Sequence, residues 1–191
     1  MYLFFDTETT GIPRNYKAPA SDGANWPRLV QLAWVLADDD AREITAAEFI
    51  VKPEGFPIPA DASRIHGITT ERAVRDGADL GGVLAAIALD IPKADVLVAH
   101  NMSFDEKILG AEFLRAAHRN PVETKPRRCT MLEATQYCEL PGRYGYKWPT
   151  LPELHMKLFG TPFEGSHQAL ADVRACARCF FELKRLNVIA F

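Results

Sequence analysis

The feature that most constrains this chain lies in its first eleven residues: the apolar run Tyr2-Leu3-Phe4-Phe5 ends abruptly in Asp6-Thr7-Glu8-Thr9-Thr10-Gly11. An unbroken apolar run of this kind bounded by a turn reads as a buried strand, with two carboxylates at its mouth. Side chains alternate along a strand, so Asp6 and Glu8 project from the same face. Two uncompensated carboxylates at that depth repel each other and raise their own pKa values, so a cation is expected between them. A strand running into a polar turn explains an isolated Asp-Thr or Thr-Gly. It does not explain a pair for which the rest of the chain supplies further acidic partners.

The 191 residues suit a single domain, 1–191, with a substantial core. A hydrophobic fraction of 48% and a charged fraction of 25% are ordinary for a globular chain and exclude disordered and collagen-like classes. No stretch approaches the roughly 18 to 20 uncharged apolar residues of a membrane span, and the N-terminus enters a strand without a basic leader, so the expectation is no membrane and a cytoplasmic location. Cys129, Cys138, Cys176 and Cys179 are too few and too unevenly placed for a disulfide scaffold. Cys176 and Cys179 form a CxxC, but inside a helical pattern without a second ligand pair, so they read as core packing. The net charge of −3 at first argues against a nucleic-acid partner, but net charge is a poor guide, since an enzyme that engages one end of a strand needs few phosphate contacts and bound metals add local positive charge. Local basic groups remain: Arg14, Lys17 and Arg28; Lys125, Arg127 and Arg128; and Arg143 and Lys147 bracketing a Gly/Tyr loop.

Residues 12–27, rich in Pro, Gly and Asn, read as a long loop leaving directly from the carboxylate pair. Apolar segments at 29–37 and 44–51, separated by Asp38-Asp39-Asp40, predict a hairpin that makes a three-stranded antiparallel meander with the first strand. A short helical or turn segment at 60–64 delivers Ile65-His66-Gly67-Ile68-Thr69, and helices are expected over 70–75 and 80–89. Residues 96–99 predict a short buried strand that ends at His100-Asn101, followed by a helix over 104–118. A last strand is expected over 128–132, with helices over 133–138, 151–159 and 169–186. The class is α/β: a mixed five-stranded sheet, an antiparallel meander of three strands followed by parallel strands, with helices on both faces.

Asp105 opens a helix just after a strand, where an acid also serves the helix dipole. Asp172 lies in the last long helix, five residues after His167, which is expected at or before the helix start and leaning over the same site. Four carboxylates, Asp6, Glu8, Asp105 and Asp172, balance two divalent cations. Oxygen-only ligands suit Mg2+, with Mn2+ able to substitute, and disfavour zinc. Two such ions would clamp a phosphodiester, leaving His167 to act as a base, since an imidazole titrates near the working pH.

The segments Phe5-Asp6-Thr7-Glu8-Thr9-Thr10-Gly11, His100-Asn101-Met102-Ser103-Phe104-Asp105 and His167-Gln168-Ala169-Leu170-Ala171-Asp172 resemble, in order, the three motifs of the DEDDh, or DnaQ-like, 3'-5' exonucleases, a group that includes polymerase proofreading subunits. The resemblance spans nearly the whole chain. It implies a ribonuclease-H-like fold, a two-Mg2+ mechanism with His167 as general base, and release of nucleoside monophosphates from a 3' end. It also implies substrate contacts: the Thr7 to Thr9 backbone and Asn101 near the terminal nucleotide, His66 approaching it, and Phe104 under a sugar or base. Gln168 departs from the pattern, standing where many relatives carry Asp or Asn at a position not expected to ligate metal. The loop at 12–27 is longer than a minimal member needs, and Tyr16, Lys17, Trp26 and Arg28 are expected to shape the strand entrance.

The expected substrates are single-stranded or frayed 3' ends, DNA before RNA, in repair or proofreading, by a monomer or homodimer with a possible polymerase partner. An RNA exonuclease of oligoribonuclease or trimming type is the alternative, because no motif identifies a group set against the 2'-OH. A noncatalytic nucleic-acid-binding module is the third reading.

Overall fold

The computed structural model describes residues 1–165 and 168–189. A five-stranded sheet runs in the order β3-β2-β1-β4-β5, built from β1 (Tyr2–Thr9), β2 (Leu29–Ala37), β3 (Glu43–Ile50), β4 (Val96–Ala99) and β5 (Arg127–Cys129). The first three strands are antiparallel, and β4 and β5 run parallel to β1 and to one another. The mixed sheet expected from the hydrophobic pattern is therefore the one observed.

Alternation along the central strands sorts the core into two layers. Leu3 and Phe5 of β1, with Leu32, Trp34 and Leu36 of β2, pack against α3 (Leu80–Asp90) and α4 (Met102–Arg115) on one face. Tyr2 and Phe4, with Ala33, Val35 and Ala37, pack on the other face against α7 (Leu151–Phe159) and α8 (Ala169–Arg185). The Phe180 ring lies 5.0 Å from Tyr2 and 5.4 Å from Phe4, centroid to centroid, so α8 is locked to β1 by aromatic contacts. Cys138, Cys176 and Cys179 are buried within this layer, and all four cysteines are free thiols. Burial pushes the Cys179 thiol up to about 12, as suits a packing residue rather than a nucleophile.

Two features of the sheet open a site at one end of β1. Its parallel pairing with β4 covers only Tyr2 to Phe4, so Asp6 and Glu8 extend past the end of β4. A bulge at Glu8/Thr9 then bends β1 away from β2. The chain also reverses direction here, crossing from β3 over β2 and β1 to β4 by way of α1 (Ala60–His66), α2 (Thr70–Asp76) and α3. Open α/β sheets bind ligands at such switch points, beyond the carboxyl ends of the strands.

Element boundaries differ from expectation in four places. Strand β5 ends at Cys129, and two short turns of helix follow, α5 (Thr130–Glu133) and α6 (Thr135–Cys138). Helix α4 starts at Met102, preceded by Asn101 in the left-handed region at φ 78°, and stops at Arg115, with Ala117 at φ 57°. Asn tolerates that conformation better than most side chains, which lets the chain pass from β4 to α4 through the two-residue turn His100–Asn101. Helix α1 runs on to His66 and closes on Gly67 at φ 72°. The Gly/Tyr segment forms a hairpin, β6 (Pro141–Gly142) with β7 (Gly145–Tyr146), that hydrophobic patterning did not signal. Among the described residues, no helix is long and apolar enough to cross a membrane.

Candidate active site

Strand alternation places Asp6 and Glu8 on the face of β1 that α8 covers, and Asp172 lies in the first turn of α8. Carboxylate oxygens of Asp6, Glu8 and Asp172 all lie within 4.8 Å of one another. Asp105 comes from α4 on the opposite face and meets Thr7, whose side chain points that way. Its Oδ1 accepts from the Thr7 amide at 3.0 Å and from the Thr7 hydroxyl at 2.7 Å. The structure thus brings three of the expected carboxylates into one cluster and ties the fourth to the strand behind it.

The electrostatics follow from burial and like charge. Asp6 is held well above the ordinary carboxylate range, first by desolvation and then by Asp105, Glu8 and Asp172. Desolvation, with Asp172 and Asp105, raises Glu8 to about 8. Desolvation raises Asp105 to about 7 against the lowering effect of its Thr7 hydrogen bonds. Among the described residues, no Lys, Arg or His forms an ion pair with Asp6, Glu8 or Asp105. A clustered, desolvated, all-oxygen donor set fits a hard divalent ion.

The cluster opens into a cleft of about 590 Å³ lined also by His100, Asn101, Trp148 and Pro149. His100 had no assigned role in the sequence, and its geometry supplies one. Its Nε2 lies 3.0 Å from the Pro149 carbonyl, which can only accept, so Nε2 carries the proton. Nδ1 then accepts from the Thr130 hydroxyl at 2.9 Å. Burial lowers this imidazole to about 4, so it stays neutral and pins the Trp148–Thr150 wall of the cleft.

Of the expected substrate residues, Thr7 and Asn101 line this cleft, whereas Thr9, His66 and Phe104 lie outside its lining. Thr7 and Thr9 are buried; the Thr7 hydroxyl is taken up by Asp105, and the Thr9 hydroxyl donates to the Gly11 carbonyl at 2.6 Å. Asn101 lines the cleft, and Phe104 packs partly buried against the α3/α4 core layer. His66 lies in a neighbouring cleft of about 390 Å³ with Gln31, Glu48, Arg72 and Gln168. Its Nδ1 accepts from the Ile68 amide at 3.1 Å, which leaves Nε2–H buried without a hydrogen-bond partner among the described residues. Burial lowers the His66 pKa, opposed by the nearby Thr9 backbone. His167, the expected base, lies outside the described residues.

The long loop departs from expectation at two residues. Trp26 is only 3% exposed and donates Nε1 to the Pro19 carbonyl at 3.0 Å, so it is the loop's own core. Arg28 bonds Glu112 Oε1 at 2.9 Å and lies over the Phe56 ring at 4.3 Å. Both residues build the loop rather than a strand entrance, because a chain this long needs an interior; Tyr16 and Lys17 remain exposed.

The way α8 is held was not legible in the sequence. Its N-cap residue, Gln168, makes no side-chain cap. Glu48 of β3 substitutes by accepting from the Leu170 amide at 3.1 Å, while its Oε1 also receives Gln31 Nε2 at 3.0 Å. Four residues beyond Leu170, Arg174 donates to both oxygens of Glu43 at 3.0 and 2.8 Å. Strand β3 therefore fixes the helix that carries Asp172.

The fold and site are thus a five-stranded mixed sheet whose central strand carries Asp6 and Glu8 past the end of its parallel neighbour, where they meet Asp172. The chain matches the family model described as Exonuclease, RNase_T, over residues 3–180 and belongs to that family. It is 30% identical over 184 residues to DNA polymerase III subunit epsilon of Treponema pallidum, covering 94% of this chain and 74% of that one. It is 29% identical over 180 residues to the uncharacterized exonuclease CP81 of Escherichia phage 186, covering 90% and 82%. Among solved structures, E. coli exonuclease I in complex with an oligonucleotide aligns with a TM-score of 0.74 at 23% identity, a likeness of fold. The zinc-ion-bound form of an E. coli exonuclease I complex with single-stranded DNA aligns at 0.72 and 25%. This chain spans 40% of the length of either solved chain.

Proposed function

We propose that this exonuclease removes nucleotides from the 3' end of single-stranded or frayed nucleic acid, DNA before RNA, releasing nucleoside 5'-monophosphates with two divalent cations, Mg2+ or Mn2+, as cofactors. The observation that carries the reading is the cluster of Asp6, Glu8 and Asp172 oxygens within 4.8 Å. These three carboxylates would hold a cation, and Asp105 supplies the remaining negative charge for a second. When bound, such ions polarise the scissile phosphate and render water nucleophilic near neutral pH.

The chain's own residues do the rest. Asp105 holds the Thr7 amide and hydroxyl, which fixes the strand end that presents Asp6 and Glu8. Asn101 and the Thr7 to Thr9 backbone border the terminal nucleotide, with His66 approaching it from the neighbouring cleft and Phe104 from the core layer beneath. His167 is the general base that takes the proton of the attacking water, a task for an imidazole that is neutral at the working pH. The polymerase-subunit relative supports a DNA substrate and a place beside a polymerase, in proofreading or repair. The exonuclease I complex supports an unpaired strand.

The test is digestion of matched DNA and RNA oligonucleotides, labelled at either end, with Mg2+ and with EDTA. Stepwise loss of 5'-monophosphates from the 3' end of the DNA, abolished by EDTA, is expected. Release from the 5' end, or faster release from RNA, would overturn the direction or the sugar preference respectively. A His167→Ala variant with full turnover would remove the assigned base.

A further inference from the structure

The segment Pro141-Gly142-Arg143-Tyr144-Gly145-Tyr146-Lys147-Trp148 interleaves aromatic and basic residues and stands apart from the carboxylates. It folds as the β6–β7 hairpin, with Pro141 opposite Tyr146 and Gly142 opposite Gly145. Both glycines are required. A Cβ on Gly142 would meet the Gly145 carbonyl oxygen at 2.8 Å and the Lys147 amide at 2.9 Å, and Gly145 sits at φ +123°. The tight turn thrusts Arg143 and Tyr144 to the tip.

The aromatic side chains here are solvent-facing: Tyr144 is 89% exposed, Trp148 62% and Tyr146 46%. The base of the hairpin is fixed, since the Lys147 amide bonds the Leu140 carbonyl at 2.9 Å and its Nζ pairs with Glu153 of α7 at 2.5 Å. Lys147 is thereby neutralised, which leaves Arg143 as the cation at the tip, its guanidinium 5.2 Å from the Tyr144 ring centre. The hairpin is continuous with the catalytic cleft, because Trp148 lines the same cavity as Asp6, Glu8 and Asp172.

We propose that the β6–β7 hairpin is a stacking platform for the nucleobases of the unpaired strand that leads into the active site. Exposed aromatic faces accept any base, at about tenfold or more in affinity per base stacked. A planar guanidinium at the tip is suited to a phosphate of the same strand. A duplex buries its base faces within its own stack, so this arm favours single strands. The inference rests on the exonuclease reading for the direction in which the strand enters.

The test measures affinity and turnover separately, on the full chain. Binding of a fluorescein-labelled twelve-nucleotide single-stranded DNA is followed by anisotropy in EDTA, and hydrolysis of the same strand is followed with Mg2+. Tyr144→Ala/Tyr146→Ala is expected to raise both Kd and KM about tenfold with little change in kcat, while Tyr144→Phe/Tyr146→Phe restores wild-type values. The increase should vanish when the same DNA is presented as a blunt duplex. A Kd within threefold of wild type for the alanine variant would overturn the proposal and leave the arm to a protein partner. A tenfold loss shared equally by the phenylalanine variant would overturn it too, since stacking survives that change. Because anisotropy needs no hydrolysis, a wild-type chain that binds but does not cleave would sink the exonuclease reading while the comparison of Kd values still decided for or against the stacking arm.

Tryptophan emission gives a second readout. Trp26 and Trp34 are buried, so Trp148 is the exposed one of the chain's 3 tryptophans. Saturable quenching by the single strand, lost in Trp148→Phe, is expected. Unquenched emission at saturating DNA would contradict stacking at the cleft end of the arm.

Discussion

Helix α4 carries two buried carboxylates, Asp105 and Glu112, that sit two turns apart and meet opposite circumstances. Oxygen Oε1 of Glu112 receives Arg115 Nη1 at 2.7 Å, Arg28 Nε at 2.9 Å and the Leu29 amide at 3.0 Å. Arg115 in turn bonds the carbonyls of Gly23 and Trp26 at 2.7 and 2.6 Å, so this network clamps the long loop onto the start of β2. Asp105 Oδ1 receives the Thr7 amide and hydroxyl, with no guanidinium or ammonium partner among the described residues, and beyond them it faces the carboxylates of the cluster. Burial is thus no guide to role. A structural carboxylate arrives with its own guanidinium groups, whereas Asp105 arrives with a neutral amide and hydroxyl beside like-charged neighbours, as suits the proposed cation site.

Four perturbations probe that contrast. The largest effect is expected of Asp6→Asn, which should lower kcat by on the order of a thousandfold, about 4 kcal/mol of barrier. The same change removes a repelling charge, so the metal-free variant should melt no lower than wild type; a large drop in Tm would mean that Asp6 is structural. Glu112→Gln should behave in the opposite sense. It leaves two guanidinium groups without their anion and should cost about 3 kcal/mol of stability by urea denaturation, with kcat nearly retained. A loss of activity without a loss of stability would reverse the assignment.

The pH dependence of metal-free stability comes next. Glu8 near 8 and Asp105 near 7 keep protons in the folded state that the unfolded chain has released above about pH 4.5. The folded protein then binds more protons, so stability falls as pH rises from about 5 to 8 and levels off beyond. Melting curves in EDTA should decline by several degrees over that interval, and Mg2+ should recover the loss most strongly at the alkaline end. A Tm that rises with pH would contradict the crowded-carboxylate picture. The smallest effect belongs to Glu48→Ala, which removes the cap that β3 lends to α8. It should cost about 1 kcal/mol and lower kcat about tenfold with KM little changed, because Asp172 loses part of its support.

Local pattern carried much of this arrangement. The apolar run of β1, the pairing of Asp6 with Glu8 by alternation, and the position of Asp172 in a long amphipathic helix are all properties of neighbouring residues, and they were readable. Glu48, Glu112 and His100 were not, because each acts on a partner far along the chain: Leu170, Arg28 and Pro149. Nothing in the sequence near Glu48 distinguishes a trans cap from a solvated surface acid. Trp26 misled for a related reason. In a Pro/Gly-rich stretch an aromatic residue reads as an exposed contact, yet here the loop folds on itself around it. The Asp105 carboxylate was foreseen as a partner of the other three, but that its Oδ1 is committed to Thr7 required the opposite faces of the sheet to be known.

Everything proposed for the end of β1 depends on its surplus negative charge being a cation site. Calorimetric titration of the metal-free chain with Mn2+ at pH 7, repeated in buffers of different ionisation enthalpy, probes that charge without requiring turnover. Saturable binding with release of protons is expected, since the groups near 7 and 8 are partly protonated there. Asp6→Asn should abolish most of that binding. Mn2+ that fails to bind, or that binds Asp6→Asn as tightly as wild type without proton release, would contradict a cation site at these carboxylates.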